Sequence, residues 1–141
     1  MRIAAGKVGD MVGMSLKTSA EAECLYATVA GEFSLEEAEK IFLEILDAVA
    51  QHRYEKVLFD GRKISGKPTD MQRFYYGEFV ARAVVDFTEQ TGLPSPKFAY
   101  ALEEPLDPRR FGENVAANRG MHVKAFDNLE DALEWLGVAR S

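Results

Sequence analysis

From Leu35 to Val49 the apolar residues fall at Leu35, Ala38, Ile41, Phe42, Ile45, Leu46 and Val49. This is the i, i+3, i+4 spacing of one helical stripe facing a core. Glu36, Glu39, Lys40, Glu44 and Asp47 occupy the other side, a solvated face. Ser34 precedes the stripe and Glu37 stands three residues on, a capping-box spacing that marks the helix start. Thr69 and Gln72 repeat the signal before a second helix that runs to about Thr91 and stops ahead of Gly92 and Pro94. Asp107 before Pro108 suits an N-cap and a first helical position, with Gly120 at that helix's end. Leu129, Ala132, Leu133 and Leu136 form a last stripe, opened by Asn128 and closed by Gly137.

Between these helices lie short β-branched and aromatic runs. Met11–Ser19 and Cys24–Gly31 flank a polar turn at Ala20–Glu23 and predict a hairpin. Lys56–Asp60, Lys97–Leu102 and His122–Phe126 predict three further strands. The order β-β-α-β-α-β-α-β-α implies an α/β fold with a mixed sheet of about five strands and four helices. The hairpin sits at one edge, and crossovers make the later strands parallel. Residues 1–141 then form a single domain. The C-terminal strand ends of such a sheet share one edge, which would gather Gly61–Lys67, Glu103–Asp107 and Asp127–Asn128. Open α/β sheets place their ligands at that edge.

Composition adds limits. The chain is 47% hydrophobic and 28% charged, an ordinary globular balance. Its net charge of −6 argues against broad nucleic-acid binding, which needs a basic face. Cys24 is the only cysteine, so no internal disulfide forms, and a lone thiol on a strand is expected to be a small buried hydrophobe. No apolar run approaches the roughly 20 residues of a membrane span. The opening MRIAAGKVGD has no apolar core of a signal peptide, so a cytoplasmic location is expected.

The segment Lys56–Asp70 (KVLFDGRKISGKPTD) reads as strand, loop and helix start. Gly61 to Lys67 matches G-x-x-x-x-G-K of a phosphate-binding loop. Pro68 then stands where that motif requires Ser or Thr, so the Mg²⁺-binding hydroxyl is missing and a backbone donor is lost. What survives is a weaker anion or phospho-ligand reading. Arg62, Lys63, Ser65, Gly66, Lys67 and Thr69 place positive charge and hydroxyls near a helix N-terminus. The alternative is a solvated basic loop.

The helix after Thr69 carries apolar residues on more than one side. Tyr76, Val80, Ala83, Val84 and Phe87 form the core stripe, while Met71, Phe74, Tyr75 and Val85 point away from it. That second face must meet another helix of the domain, a partner or second copy, or an apolar ligand. His52 and His122 lack the neighbours of a metal site, so no metal is expected. Asp60 and Glu103–Glu104 do not make an acid–base pair, because adjacent strand residues face opposite ways. With no nucleophile–base–orienter set in view, an enzyme is not expected, nor a cofactor. Trp135 lies at the edge of its helix's stripe and reads as packing.

The chain resembles the STAS fold of anti-sigma-factor antagonists, and more closely the bacterial SpoIIAA-like branch often grouped with CRAL-TRIO lipid-binding domains. The likeness rests on Gly31–Ser34 (GEFS), Val57–Asp60 (VLFD), Phe98–Leu102 (FAYAL), Ala117–Gly120 (ANRG) and above all Val123–Gly137 (VKAFDNLEDALEWLG). Phosphorylatable STAS antagonists carry Asp-Ser-Ser-Gly where the helix after the central strand begins. Here that stretch reads KISGKPTD, and only Ser65 and Gly66 echo it. Ser65 and Thr69 are therefore the phosphoacceptor candidates, with Arg62, Lys63 and Lys67 beside them. The resemblance implies a non-catalytic regulatory or interaction module that binds a protein partner; the second apolar face of the helix after Thr69 leaves a homodimer open as well. The alternative it implies is a carrier of a small apolar ligand such as a lipid or fatty acid.

Overall fold

Alternate residues of Leu25–Val29 are buried, and so is the whole run from Val57 to Gly61. The first pattern suits a strand near an edge and the second a strand covered on both faces. In a computed structural model, residues 13–21, 23–102, 116–117 and 119–138 are described. Their elements are β1 (Ser15–Ala20), β2 (Leu25–Glu32), α1 (Leu35–His52), β3 (Lys56–Ser65), α2 (Asp70–Thr91), β4 (Lys97–Ala101), β5 (Val123–Phe126) and α3 (Leu129–Leu136). The sheet order is β1-β2-β3-β4-β5, with β1 antiparallel to β2 and every later pair parallel. The expected α/β architecture of hairpin and parallel strands is thus present. Three helices rather than four appear among the described residues. The helix expected from Asp107 to Gly120 falls mostly outside them, as do Glu103–Asp107, Met11 and Val12. Its described end, Ala116–Ala117, is helical and turns at Gly120 with φ 93°.

The two faces of the sheet bury different cores. Leu25, Ala27, Val29, Val57, Phe59, Phe98 and Tyr100 pack against α1 and α2. Cys24, Leu58, Ala99 and Ala101 lie under α3, packed with Ala132, Leu133 and Leu136. Phe42, Ile45 and Val49 of α1 are essentially solvent-free. Each such side chain contributes about 1.5–3 kcal/mol of transfer free energy. Cys24 is buried as expected, and burial followed by the nearby Glu21 charge pushes its thiol pKa up. Trp135 packs at 6.0 Å from the Phe126 ring, with the Lys97 ammonium 4.4 Å above its own ring.

The caps refine the sequence reading. At α2 both arms of the box form: Gln72 N–H donates to Thr69 Oγ1 at 3.1 Å, and Thr69 N–H to Gln72 Oε1 at 2.9 Å. At α1 only one arm forms, from Glu37 N–H to Ser34 Oγ. The Glu37 carboxylate instead accepts from the Met14 backbone N–H. A nonlocal donor therefore displaces the local one, and it ties the chain before β1 to the first turn of α1. The same approach fixes Gly31, whose φ is 110° and where a Cβ would overlap the Gly13 carbonyl oxygen. Backbone cannot retreat as a side-chain tip can. Gly92 also has positive φ, 73°, but open space around it.

Gly31→Ala is expected to destabilise the fold by about 2–4 kcal/mol and Gly92→Ala by only about 1 kcal/mol. Urea unfolding of both variants checks this, and equal losses would show that the Gly13–Gly31 approach is not a constraint.

Candidate functional site

The strand expected to end at Asp60 continues to Ser65. Its pairing with β2 slips on the way: Thr28 faces Asp60, but Ala30 faces Lys63. One extra residue on β3 makes a β-bulge, which bends a strand and re-aims its side chains. Gly61 sits at this bend, buried, where a Cβ would press on the tips of Leu102, Ile64 and Phe59. After the bulge Ile64 packs with the α1–α2 core. Lys63 and Ser65 are exposed. Arg62, Lys63 and Ser65 are therefore strand residues rather than loop residues. The extension depends on Ala30, Gly31 and Glu32 of β2, partners that a local reading of β3 does not reveal. The connection to α2 is correspondingly short, with Gly66 turning at φ 84°.

Asp60 is 6% exposed, and it is fully engaged. Its Oδ1 accepts from Arg62 Nε at 2.8 Å and from Arg62 N–H at 3.2 Å. Its Oδ2 accepts from Arg62 Nη2 at 2.8 Å and from Tyr26 Oη at 2.9 Å. The bulge between Asp60 and Lys63 breaks the regular alternation, and the Arg62 side chain comes back onto Asp60 to close a bidentate pair. Burial alone would raise the Asp60 pKa, but hydrogen bonds from Arg62 and Tyr26 outweigh it and hold the carboxyl below its ordinary value. The Tyr26 phenol is pushed up by burial and by its bond to that carboxylate. Sequence reasoning left out Tyr26 and treated Arg62 as free charge. The signal it could have used was the i, i+2 spacing of Asp60 and Arg62. Of the expected basic residues, Lys63 and Lys67 are exposed and have no ion pair among the described residues, while Arg62 is committed to Asp60.

The two hydroxyls differ. Ser65 is exposed at the end of β3, where its carbonyl accepts from Phe33 N–H at 2.9 Å. Thr69 Oγ1 is the cap acceptor of α2. The strand order also changes the expectation for this edge. A ligand crevice opens in an α/β sheet where the strand order reverses. Here the order runs β1 to β5 without reversal. Among the described residues the strand ends therefore share one edge without a switch-point crevice.

The outer side of α2 mixes exposed apolar residues with the charged Arg82, Asp86 and Glu89. Met71, Tyr75 and Val85 are 59%, 49% and 44% exposed. Phe74 is half-buried: its ring meets Tyr75 at 5.8 Å and the Arg119 guanidinium at 5.9 Å, and Arg119 in turn bonds Glu78 at 2.8 Å. Leu43 on α1, not singled out by its sequence context, is exposed too. The core side of α2 is as expected, with Val80, Ala83, Val84 and Phe87 buried. Tyr76 Oη lies 2.8 Å from Tyr100 Oη between the helix and sheet layers, and burial raises both phenol pKa values.

This fold has counterparts of known structure. An anti-sigma factor antagonist from Mycobacterium paratuberculosis aligns with 89% of this chain and 95% of its own, at 13% identity and a TM-score of 0.55. The anti-sigma factor antagonist SpoIIAA in its unphosphorylated form aligns with 89% of this chain and all of its own, at 12% identity and 0.54. A protein of the DUF3478 family from Shewanella loihica PV-4, described as having a SpoIIAA-like fold, covers 93% of this chain and 99% of its own, at 15% identity and 0.51. No protein-family model and no curated protein sequence matches the chain. The fold is therefore SpoIIAA-like, of STAS type. These likenesses concern the SpoIIAA-like part of the resemblance and not the CRAL-TRIO grouping.

Asp60 binds fewer protons folded than unfolded at acid pH, so its contribution is present above its unfolded pKa of about 3.9 and is lost as pH falls through the lower folded value. Asp60→Asn is expected to cost about 1–3 kcal/mol at pH 7, discounted because 43% of the Arg62 side chain is exposed. The loss should shrink below about pH 4. Urea unfolding across this range measures it, and a pH-independent difference would contradict the assignment.

Proposed function

We propose that this chain is a non-catalytic regulatory module that works by binding a protein partner through the outer side of α2 and the adjoining segment from Lys63 to Lys67. The observation that carries the reading is the exposure of Met71, Tyr75 and Val85 on one helix. Large apolar side chains grouped on a surface mark sites of association. Lys63 and Lys67 are exposed and supply charge beside them. Two proteins that share the fold are antagonists of anti-sigma factors, and so act on other proteins. A homodimer through the same side of α2 is one form of this reading. Of the two phosphoacceptor candidates, Ser65 is the better placed. Thr69 holds the cap of α2, and modifying its oxygen would remove that cap.

The apolar-ligand reading has less support. Tyr75 and Val85 line an open groove rather than an enclosed chamber, and several acids share that lining. Pockets for small apolar ligands bury most of the ligand surface. No helix among the described residues is long and apolar enough to cross a membrane.

A photoreactive residue placed at position 75 is expected to capture a discrete protein in the host, whereas one at Glu134 on α3 captures none. Tyr75→Ala should weaken that complex by about 2 kcal/mol, roughly thirtyfold in Kd. Equal capture at both positions, or none at either, would contradict the proposal.

A further inference from the structure

Tyr75, Phe79 and Val85 of α2 line a concavity of about 790 Å³ that reaches the start of α1 and is open to solvent. Glu39 of α1 and Asp86 and Glu89 of α2 line it as well. Among the described lining residues there are two cations; Arg119 bonds Glu78 at 2.8 Å, and Arg82 stands beside Glu39, Asp86 and Glu89. Glu39 is half-buried, and its pKa is raised first by burial and then by the neighbouring Glu36 charge. A carboxylate deprived of water beside a like charge is stabilised by an incoming cation. Among the described residues the groove therefore combines apolar surface with an excess of acids over cations. From Tyr75 to Glu89 it follows α2 for about 21 Å, the length of roughly 14 helical residues.

We propose that this groove seats an amphipathic helix of the protein partner, its apolar stripe against Tyr75, Phe79 and Val85 and its Lys and Arg residues facing Glu39, Asp86 and Glu89. This deepens the partner-binding reading above and rests on it. A helix suits the site because its backbone hydrogen bonds are satisfied internally. An extended segment would need donors and acceptors from a sheet edge, and an α2 interior offers none. The acids repel phosphate, which disfavours a nucleic acid or an anionic lipid surface.

The test is fluorescence anisotropy of the full chain with a Leu/Lys amphipathic peptide of about 18 residues, long enough to hold a helix, and its Leu/Glu twin. The Lys peptide is expected to bind and gain helical circular dichroism, with the Glu twin weaker by about tenfold or more. Val85→Asp and the triple variant Glu39→Gln/Asp86→Asn/Glu89→Gln should each weaken the Lys peptide about tenfold. Glu130→Gln/Glu134→Gln on α3 should change it less than about twofold. Equal binding of the two peptides, equal loss in the α3 variant, or indifference to Val85→Asp would overturn the proposal. If position 75 still captures a partner after such a result, partner binding stands and only the basic helix falls. A silent position 75 removes both.

Discussion

Strand β3 has to be apolar on both faces and then become polar without unpairing, and the Asp60–Arg62 pair is where this happens. Val57 and Phe59 face α1 and α2, and Leu58 faces α3, so the strand begins as the centre of a three-layer core. Asp60 comes next on the α3 side, and a bare carboxylate there would be costly. Arg62 reaches it with two side-chain donors, and Tyr26 adds a third from β2. The bulge at Gly61–Arg62 lets the chain turn its next residues around while β2 keeps pairing to Ser65. From that extension follow the short turn at Gly66 and the position of the α2 N-terminus. The orientation of α2's outer side depends on the same chain of contacts.

This arrangement divides the work of the two helical layers. α3 is a short cover with a strong apolar stripe, and it closes the face of the sheet that holds Leu58, Ala99 and Ala101. α1 and α2 close the other face, but α2 is only weakly amphipathic because its apolar residues are spread around it. Val80, Val84 and Phe87 serve the core, whereas Met71, Tyr75 and Val85 serve no contact within the described residues large enough to bury them. The proposed partner contact rests on the exposed apolar residues of α2 rather than on the sheet edge.

Much of this was legible in local signals. The Leu35–Val49 period, the Thr69–Gln72 box, Asn128, Gly92 and Gly137 mark helix boundaries that hold, since caps and stripes depend on neighbours in sequence. The outward side of Met71, Tyr75 and Val85 followed from angular spacing alone. What was hidden depended on distant partners. β3 looked finished at Asp60 because Gly-Arg-Lys resembles a loop, and only Ala30–Glu32 of β2 make it a strand. Glu37 looked like the second arm of a cap, yet the Met14 N–H takes it. Phe74 looked free because Arg119 is far away in sequence. The groove was invisible for the same reason, since Glu39 and Asp86 come to line one groove only when α1 packs on α2.

The most direct measurement is native mass spectrometry of the protein gently purified from its own host. The expected result is a noncovalent complex whose added mass is that of a polypeptide, released intact on denaturation. Added mass of a small apolar molecule instead, retained by the single chain and lost with solvent extraction, would contradict it and identify a carrier.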